Sequence, residues 1–217
     1  MYNVVCLKYG SKYTSEHVNA LFHGVKNNIS LPHRFICFTE DSSGLDCESL
    51  PIPCEEKGWW GKLSLFKETL YDLKGTLFFI DLDMHINRSI DDYLQLGNSE
   101  DLYVMRDLTW NTEYSSAIMR FPIGKYSKVW QHYTKIKDSI KEMKTGDQNI
   151  INIVYNKDIK STRSKAIEKF RLSSENVEVK FWPAEWQQDI RYYTKNSSAK
   201  IIVGYGSAGI FDLERFK

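Results

Sequence analysis

Asp81 and Asp83 close the run Leu77-Phe78-Phe79-Ile80-Asp81-Leu82-Asp83, four large apolar residues followed by two carboxylates with one leucine between them. In an extended segment, positions i and i+2 point to the same side with Cα atoms about 6.5–7 Å apart. Two carboxylates so placed can converge on one hard divalent cation, while Leu82 turns back towards the core. The unbroken apolar run, bounded upstream by Lys74-Gly75, predicts a strand buried on both faces in a parallel sheet. In open α/β sheets the ligand crevice lies outside the carboxyl ends of the strands, which is where both aspartates fall. The outline is that of a site for a diphosphate and its metal.

The elements that must hold these carboxylates can be taken in chain order. Residues 4–8 read as a strand that closes at Tyr9-Gly10, and residues 14–26 as a helix with Val18, Leu21, Phe22 and Val25 on one face. Residues 33–39 give the next strand, followed by an acidic, glycine-containing loop over 40–46, so the first two strand ends flank the crevice. Residues 47–56 contain Pro51 and Pro53 and form a connector. Gly58-Trp59-Trp60-Gly61-Lys62 then leads into an expected helix through Leu63, Leu65, Phe66, Leu70 and Tyr71. Two adjacent indoles between glycines do not fit one buried face, so one packs on the core while the other lines a cleft. Lys62 faces an anion.

Beyond Asp83, Ser89 and Asp92 have the spacing of a capping box, so Asp91 and Asp92 are assigned to a helix start and not to catalysis. Residues 102–106 and 116–121 are strands, and the loop between them, with Asp107, Trp110, Asn111 and Glu113, belongs to the site. Tyr126, Val129, Trp130, Tyr133 and Ile136 form a helical core stripe. Thr145-Gly146-Asp147-Gln148 opens a further helix, with Thr145 and Gln148 spaced as a second capping box. Residues 156–176 are polar and read as a surface excursion. Residues 177–181 and 200–203 are the last strands, the second running into Gly204-Tyr205-Gly206.

A chain of 217 residues suits one domain with a substantial core. Lys+Arg 29 against Asp+Glu 28 leaves a net charge of +1, which excludes a general electrostatic footprint for nucleic acid or an anionic membrane. With no apolar run of membrane-spanning length and a strand-like start, a cytoplasmic protein without a transmembrane segment is expected. The four cysteines contain no CxxC pair, and Cys6 and Cys37 lie in apolar runs as core thiols. Six tryptophans and thirteen tyrosines provide rings that serve either the core or the faces of sugars and bases.

The ordered set of an N-terminal strand and helix, GWWGK, FFIDLD, an SSAIM strand and a later GDQ resembles nucleotide-sugar-dependent glycosyltransferases of the GT-A fold. The likeness is to small bacterial and viral types related to the retaining glycogenin and galactosyltransferase group, and covers about residues 1–205. It implies a single Rossmann-like α/β domain with a mostly parallel sheet flanked by helices. The nucleotide-binding half spans about residues 1–106 and the acceptor half about 107–217. It further implies that Asp81 and Asp83 hold Mn²⁺ or Mg²⁺ against the diphosphate of a UDP-sugar, whose leaving group gains charge as the glycosidic bond breaks. By the same resemblance Tyr9, Gly10, Trp60, Lys62, Ser115 and Ser116 bind the donor. Asp147 and Gln148 lie near the anomeric carbon, with Gln148 in a positioning role. Transfer would proceed with retention to a carbohydrate, lipid-linked or protein acceptor.

The C-terminus departs from that pattern. Tyr205 stands where a metal-ligating histidine is expected, and Ser207 where a phosphate-contacting lysine is expected. Two other readings are therefore kept: a non-catalytic nucleotide-sugar or partner-binding domain on a decayed transferase fold, and a haloacid dehalogenase-type phosphatase. The latter requires its DxD strand near the domain start, with Thr or Val two places after the second Asp, whereas here about a third of the chain precedes it and His85 stands in that place.

Overall fold

The computed structural model describes residues 1–172, 177–189, 194 and 196–204. Its first half runs β1 (Tyr2–Lys8), α1 (Ser15–Asn28), β2 (His33–Thr39), β3 (Glu48–Leu50), a 3₁₀ segment (Gly58–Phe66), β4 (Thr76–Ile80), β5 (Met84–Ile86) and α2 (Asp91–Gln95). The second half adds β6 (Tyr103–Arg106), β7 (Tyr114–Pro122), α3 (Lys128–Ile140), α4 (Asp147–Tyr155), α5 (Thr162–Ala166), β8 (Lys180–Phe181), β9 (Gln187–Asp189) and β10 (Ile201–Val203). Seven strands form the main sheet in the order β3-β2-β1-β4-β7-β6-β8, all running the same way except β7. A second sheet, β5-β10-β9, lies beside it. This is the expected α/β architecture, mostly parallel and in one domain.

Side-chain alternation in β4 explains why its sequence carries no polar face. Leu77 and Phe79 join one buried cluster with Leu63, Leu65 and Phe66 of the 3₁₀ segment, Val129 and Tyr133 of α3, and Ile150 and Ile151 of α4. Phe78 and Ile80 join the opposite cluster with Val18, Leu21 and Val25 of α1 and with Trp182. Both faces are covered, as the apolar run predicts. Only one edge of β4 is parallel, however: it pairs with β1 in that sense and with β7 antiparallel.

Several expected elements differ. The helix through Leu63 to Tyr71 is instead the 3₁₀ segment, all of whose residues from Gly61 to Phe66 are buried. With no polar face to turn to solvent, this stretch is held by local bonds, such as Ser64 Oγ donating to the Gly61 carbonyl at 2.6 Å. Ile90, not Ser89, precedes the first residue of α2. The Asp91 carboxylate accepts from the Ser30 N–H at 2.9 Å and from its hydroxyl at 2.7 Å, and Asp92 pairs with Lys200 at 2.5 Å. Gly146 caps α4, and it is Asn149, not Gln148, whose side chain accepts the cap N–H at 2.8 Å. The 177–181 strand shrinks to two residues.

Residues 156–172 are not a surface excursion either, for Ile159, Ser161, Ser164 and Ile167 are buried. Glu113, expected in the site loop, is 1 % exposed and turned inward to meet them. Its carboxylate accepts from the Lys160 N–H at 2.7 Å, from the Ser161 N–H, and from the Ser161 and Ser164 hydroxyls at 2.8 Å each. Serines paired to a buried carboxylate read as surface polarity in a sequence. Cys6, Cys37, Cys47 and Cys54 are free thiols, the first two buried as expected. No helix among the described residues is long and apolar enough to cross a membrane.

Candidate functional site

Three elements bring charge to one point at the carboxyl end of β4, and β7 adds a hydroxyl. Asp81 directly follows that strand, and its N–H donates to the Ala117 carbonyl of β7 at 2.9 Å. Two residues on, the Asp83 carbonyl accepts the Gly204 N–H at 2.7 Å, which ties the site to the end of β10. From the 3₁₀ segment, Lys62 Nζ reaches 2.9 Å from Asp81 Oδ1, 3.0 Å from Asp81 Oδ2 and 3.3 Å from Asp147 Oδ2 at the start of α4. The Asp147 Oδ2 also accepts from the Ser116 hydroxyl of β7 at 2.5 Å. The buried ammonium lies 4.9 Å from the centre of the Phe79 ring.

Burial alone would lower the Lys62 pKa, but Asp147 and Asp81 outweigh it and raise the group well above its ordinary value. Burial pushes the Asp81 carboxyl up, Lys62 pulls it down, and Asp83 and Asp147 push it up again, leaving it raised to about 7. Asp83 is raised chiefly by burial, against the pull of Lys62 and Lys12 and a hydrogen bond from the Tyr13 hydroxyl. For both aspartates burial disfavours the charged form, and a nearby positive charge favours it.

Two cavities meet at these residues. The larger, of about 880 Å³, is bounded on one side by Tyr9, Lys12 and Tyr13 after β1, and on the other by Trp59, Asp147 and Gln148. The smaller, of about 480 Å³, is walled by Asp107, Leu108, Trp110 and Ser115. Asp81, Asp83, Ala117, Gln148, Asn149 and Arg163 border both. Gln148 spans the seam, with its Nε2 donating to Asp107 Oδ2 at 3.0 Å. Asp107 Oδ1 in turn accepts the N–H groups of Thr109 and Trp110 at 2.8 and 2.9 Å, which holds the exposed Trp110 loop in place.

Of the residues singled out in the sequence, Tyr9, Lys62, Asp81, Asp83, Ser116, Asp147 and Gln148 line the larger cavity and Ser115 the smaller. Trp60 does not line either: it stacks on Tyr133 with ring centres 5.3 Å apart and packs on the core, whereas Trp59, 59 % exposed, faces the cavity. The expectation of one inward and one outward indole holds, and it is Trp59, not Trp60, that faces the cavity. Gly10 is a turn residue at φ 63° whose N–H donates to the Glu40 carboxylate. Tyr205 and Ser207 lie outside the described residues. Lys12 and Tyr13 were legible as residues just past a strand end. Arg163 carried no signal, being one of many charges in a polar stretch.

Among the described residues no group of three His, Cys, Asp or Glu side chains is close enough to hold a metal. Mg²⁺ needs no such cage, since it is commonly held by one or two carboxylates with substrate phosphates and water completing the shell. Asp81 and Asp83, both bordering the cavities, fit that mode.

The mostly parallel sheet flanked by helices, with the aspartates just past the end of β4, is a GT-A-like glycosyltransferase fold. Solved structures agree. The galactosyltransferase LgtC, in complex with donor and acceptor sugar analogs, superposes with a TM-score of 0.62 at 10% identity, covering 99% of this chain and 93% of that one. The glycosyltransferase GlyE of Streptococcus pneumoniae gives 0.60 at 11% identity over 94% of this chain and 55% of that one. The bifunctional glycosyltransferase WbbM gives 0.61 at 11% identity over 95% and 45%. This chain therefore spans about half the length of GlyE and WbbM. No protein-family model matches the sequence, and no curated protein matches it.

Proposed function

We propose that the protein is a metal-dependent glycosyltransferase that moves a sugar from a nucleoside diphosphate sugar, a UDP-sugar in our reading, to an acceptor hydroxyl with retention. The observation that carries the reading is the meeting of Asp81, Asp83, Lys62 and Asp147 at the seam of two cavities. Donor transfer needs that arrangement: one chamber for the nucleotide, one for the acceptor, and charge where the bond breaks.

On this reading Asp81 and Asp83 would hold Mn²⁺ or Mg²⁺, which supplies Lewis-acid stabilisation of the departing diphosphate when bound. Tyr9 and Trp59 offer rings to the nucleoside side of the larger cavity. Lys62 holds Asp147 at a fixed distance from the diphosphate site, so Asp147 is oriented towards the sugar without an unpaired buried charge. Gln148, fixed by Asp107, positions the reacting sugar at the seam. Retention is supported by this neutral amide standing there, and by Asp107 already accepting three hydrogen bonds on the acceptor side. Trp110 and Leu108 give that side an exposed apolar wall suited to one face of a carbohydrate. The cytoplasm is the proposed compartment.

The test is hydrolysis of a panel of nucleoside diphosphate sugars without acceptor, in Mn²⁺ and in chelator, with the anomer of the released sugar read by NMR. Manganese-dependent release of the retained anomer is expected. Absence of both hydrolysis and calorimetric donor binding across the panel would refute the reading.

A further inference from the structure

The positive charges around the two cavities are not equivalent. Lys62 is matched by Asp81 and Asp147. Lys12 rests 4.8 Å from the centre of the Tyr13 ring and acts on Asp83, and the exposed Lys144 borders the larger cavity but not the smaller. The smaller cavity has three carboxylates on its wall, those of Asp81, Asp83 and Asp107, and Arg163 is the one cation among its described lining residues. Arg163 also lines the larger cavity, is exposed, and pairs with no carboxylate among the described residues. It is thus a guanidinium with unused donors, bordering the seam where Asp81 and Asp83 lie.

The segment that presents it is anchored more firmly than a surface helix requires. Glu113, fully inside, binds the backbone N–H groups of Lys160 and Ser161 and the hydroxyls of Ser161 and Ser164. Ser161 accepts the Ser164 N–H at 3.2 Å, fixing the first turn of α5 around Arg163. Ser164 Oγ accepts from Asn149 Nδ2 at 2.9 Å, and Asn149 caps the helix that carries Asp147 and Gln148. One buried carboxylate therefore sets Arg163 and the Asp147-Gln148 pair in register.

We propose that Arg163 grips the diphosphate of the sugar nucleotide from the acceptor side of the seam. The proposal rests on the nucleotide-sugar reading above and assigns a binding residue within it. A guanidinium presents a planar fork that matches two phosphate oxygens and stays charged at any working pH. Placed beside the departing diphosphate, it offsets the charge that grows there as the sugar leaves.

The experiment is calorimetric titration of the full chain with UDP, UMP and uridine in Mn²⁺, for the parent, Arg163→Gln and Arg163→Lys, after matching melts establish folding. Arg163→Gln should weaken UDP about tenfold, the size of one charge-assisted contact, and leave uridine unchanged. Arg163→Lys should restore part of the loss by returning the charge without the fork. UDP bound equally by the parent and Arg163→Gln overturns the proposal while leaving the nucleotide-sugar reading intact. Unchanged UDP affinity with weaker binding of an anionic acceptor sugar overturns it too, and moves Arg163 to acceptor recognition. A parent chain that binds none of the three refutes the nucleotide-sugar reading itself, and the proposal with it.

Discussion

The Lys62 ammonium lies within 3.0 Å of both carboxylate oxygens of Asp81, so the first aspartate of the pair already has a cation beside it. Asp83, two residues on, forms no ion pair at contact distance among the described residues and accepts a hydrogen bond from the Tyr13 hydroxyl. The two aspartates therefore differ in what their loss should do, although the sequence presents them as a matched pair.

Asp83→Asn should melt within about 0.5 kcal/mol of the parent while losing Mn²⁺-dependent UDP binding, because its side chain faces the cavity. Asp81→Asn should lose the same binding and also weaken the fold, since Lys62 is left with one carboxylate. Urea melts and calorimetry on both variants check this. Equal melts would mean that the Lys62-Asp81 contact contributes nothing to stability.

Lys62→Met should cost about 2–3 kcal/mol at pH 7, by leaving the Asp81 and Asp147 carboxylates without their shared cation. The figure is set below the deep-interior range because the Asp81 side chain is 29 % exposed. Lowering the pH should shrink the deficit as the buried Asp81 carboxyl, already raised to about 7, takes up a proton. Adding Asp147→Asn to Lys62→Met should recover part of the loss, a coupling that a double-mutant cycle reads directly.

Glu113 is pushed up by burial, but the bonds from Ser161, Ser164 and Lys160 more than offset this and hold it below its usual value of 4.5. A carboxylate with a lowered folded pKa contributes stability that is fully present above its unfolded pKa and lost as pH falls through the folded value. Glu113→Gln should therefore cost about 1–3 kcal/mol at pH 7, and less as pH drops below the usual glutamate range. Denaturant melts at pH 7, 5 and 3 check the sign. A deficit that grows on acidification would show that the bonded carboxylate is not the stabilising species.

Trp59 should report ligand and Trp60 should report folding. Trp59→Phe is expected to remove most of any fluorescence change on UDP binding and to leave the melt unchanged, as its ring faces the cavity. Trp60→Ala should lower stability by about 2–3 kcal/mol through loss of its stacking on Tyr133 and its contact with the core. A ligand signal that survives Trp59→Phe but not Trp60→Phe would reverse the two roles.

Chain-local patterns determined much of this protein. The apolar run of β4 shows that both faces are covered, and the i, i+2 spacing shows that Asp81 and Asp83 share a side; both follow from strand geometry and need no other part of the chain. The longer strands and helices were legible for the same reason, as was the division of labour between two adjacent indoles, whereas the short β3, β5, β9 and α5 and the 3₁₀ form of Gly58–Phe66 were not. Which indole faces the cavity was decided only by packing, because Tyr133 arrives from a helix some seventy residues away. The shared ion pair of Lys62 with Asp81 and Asp147 spans sequence separations that no spacing rule covers. Arg163 and the serines that anchor its helix lay hidden in a polar stretch, and Glu113 read as a site residue, since a serine that bonds a buried carboxylate has the same letter as one that bonds water. Only tertiary structure, by removing the water, gave those residues partners and a cavity to face.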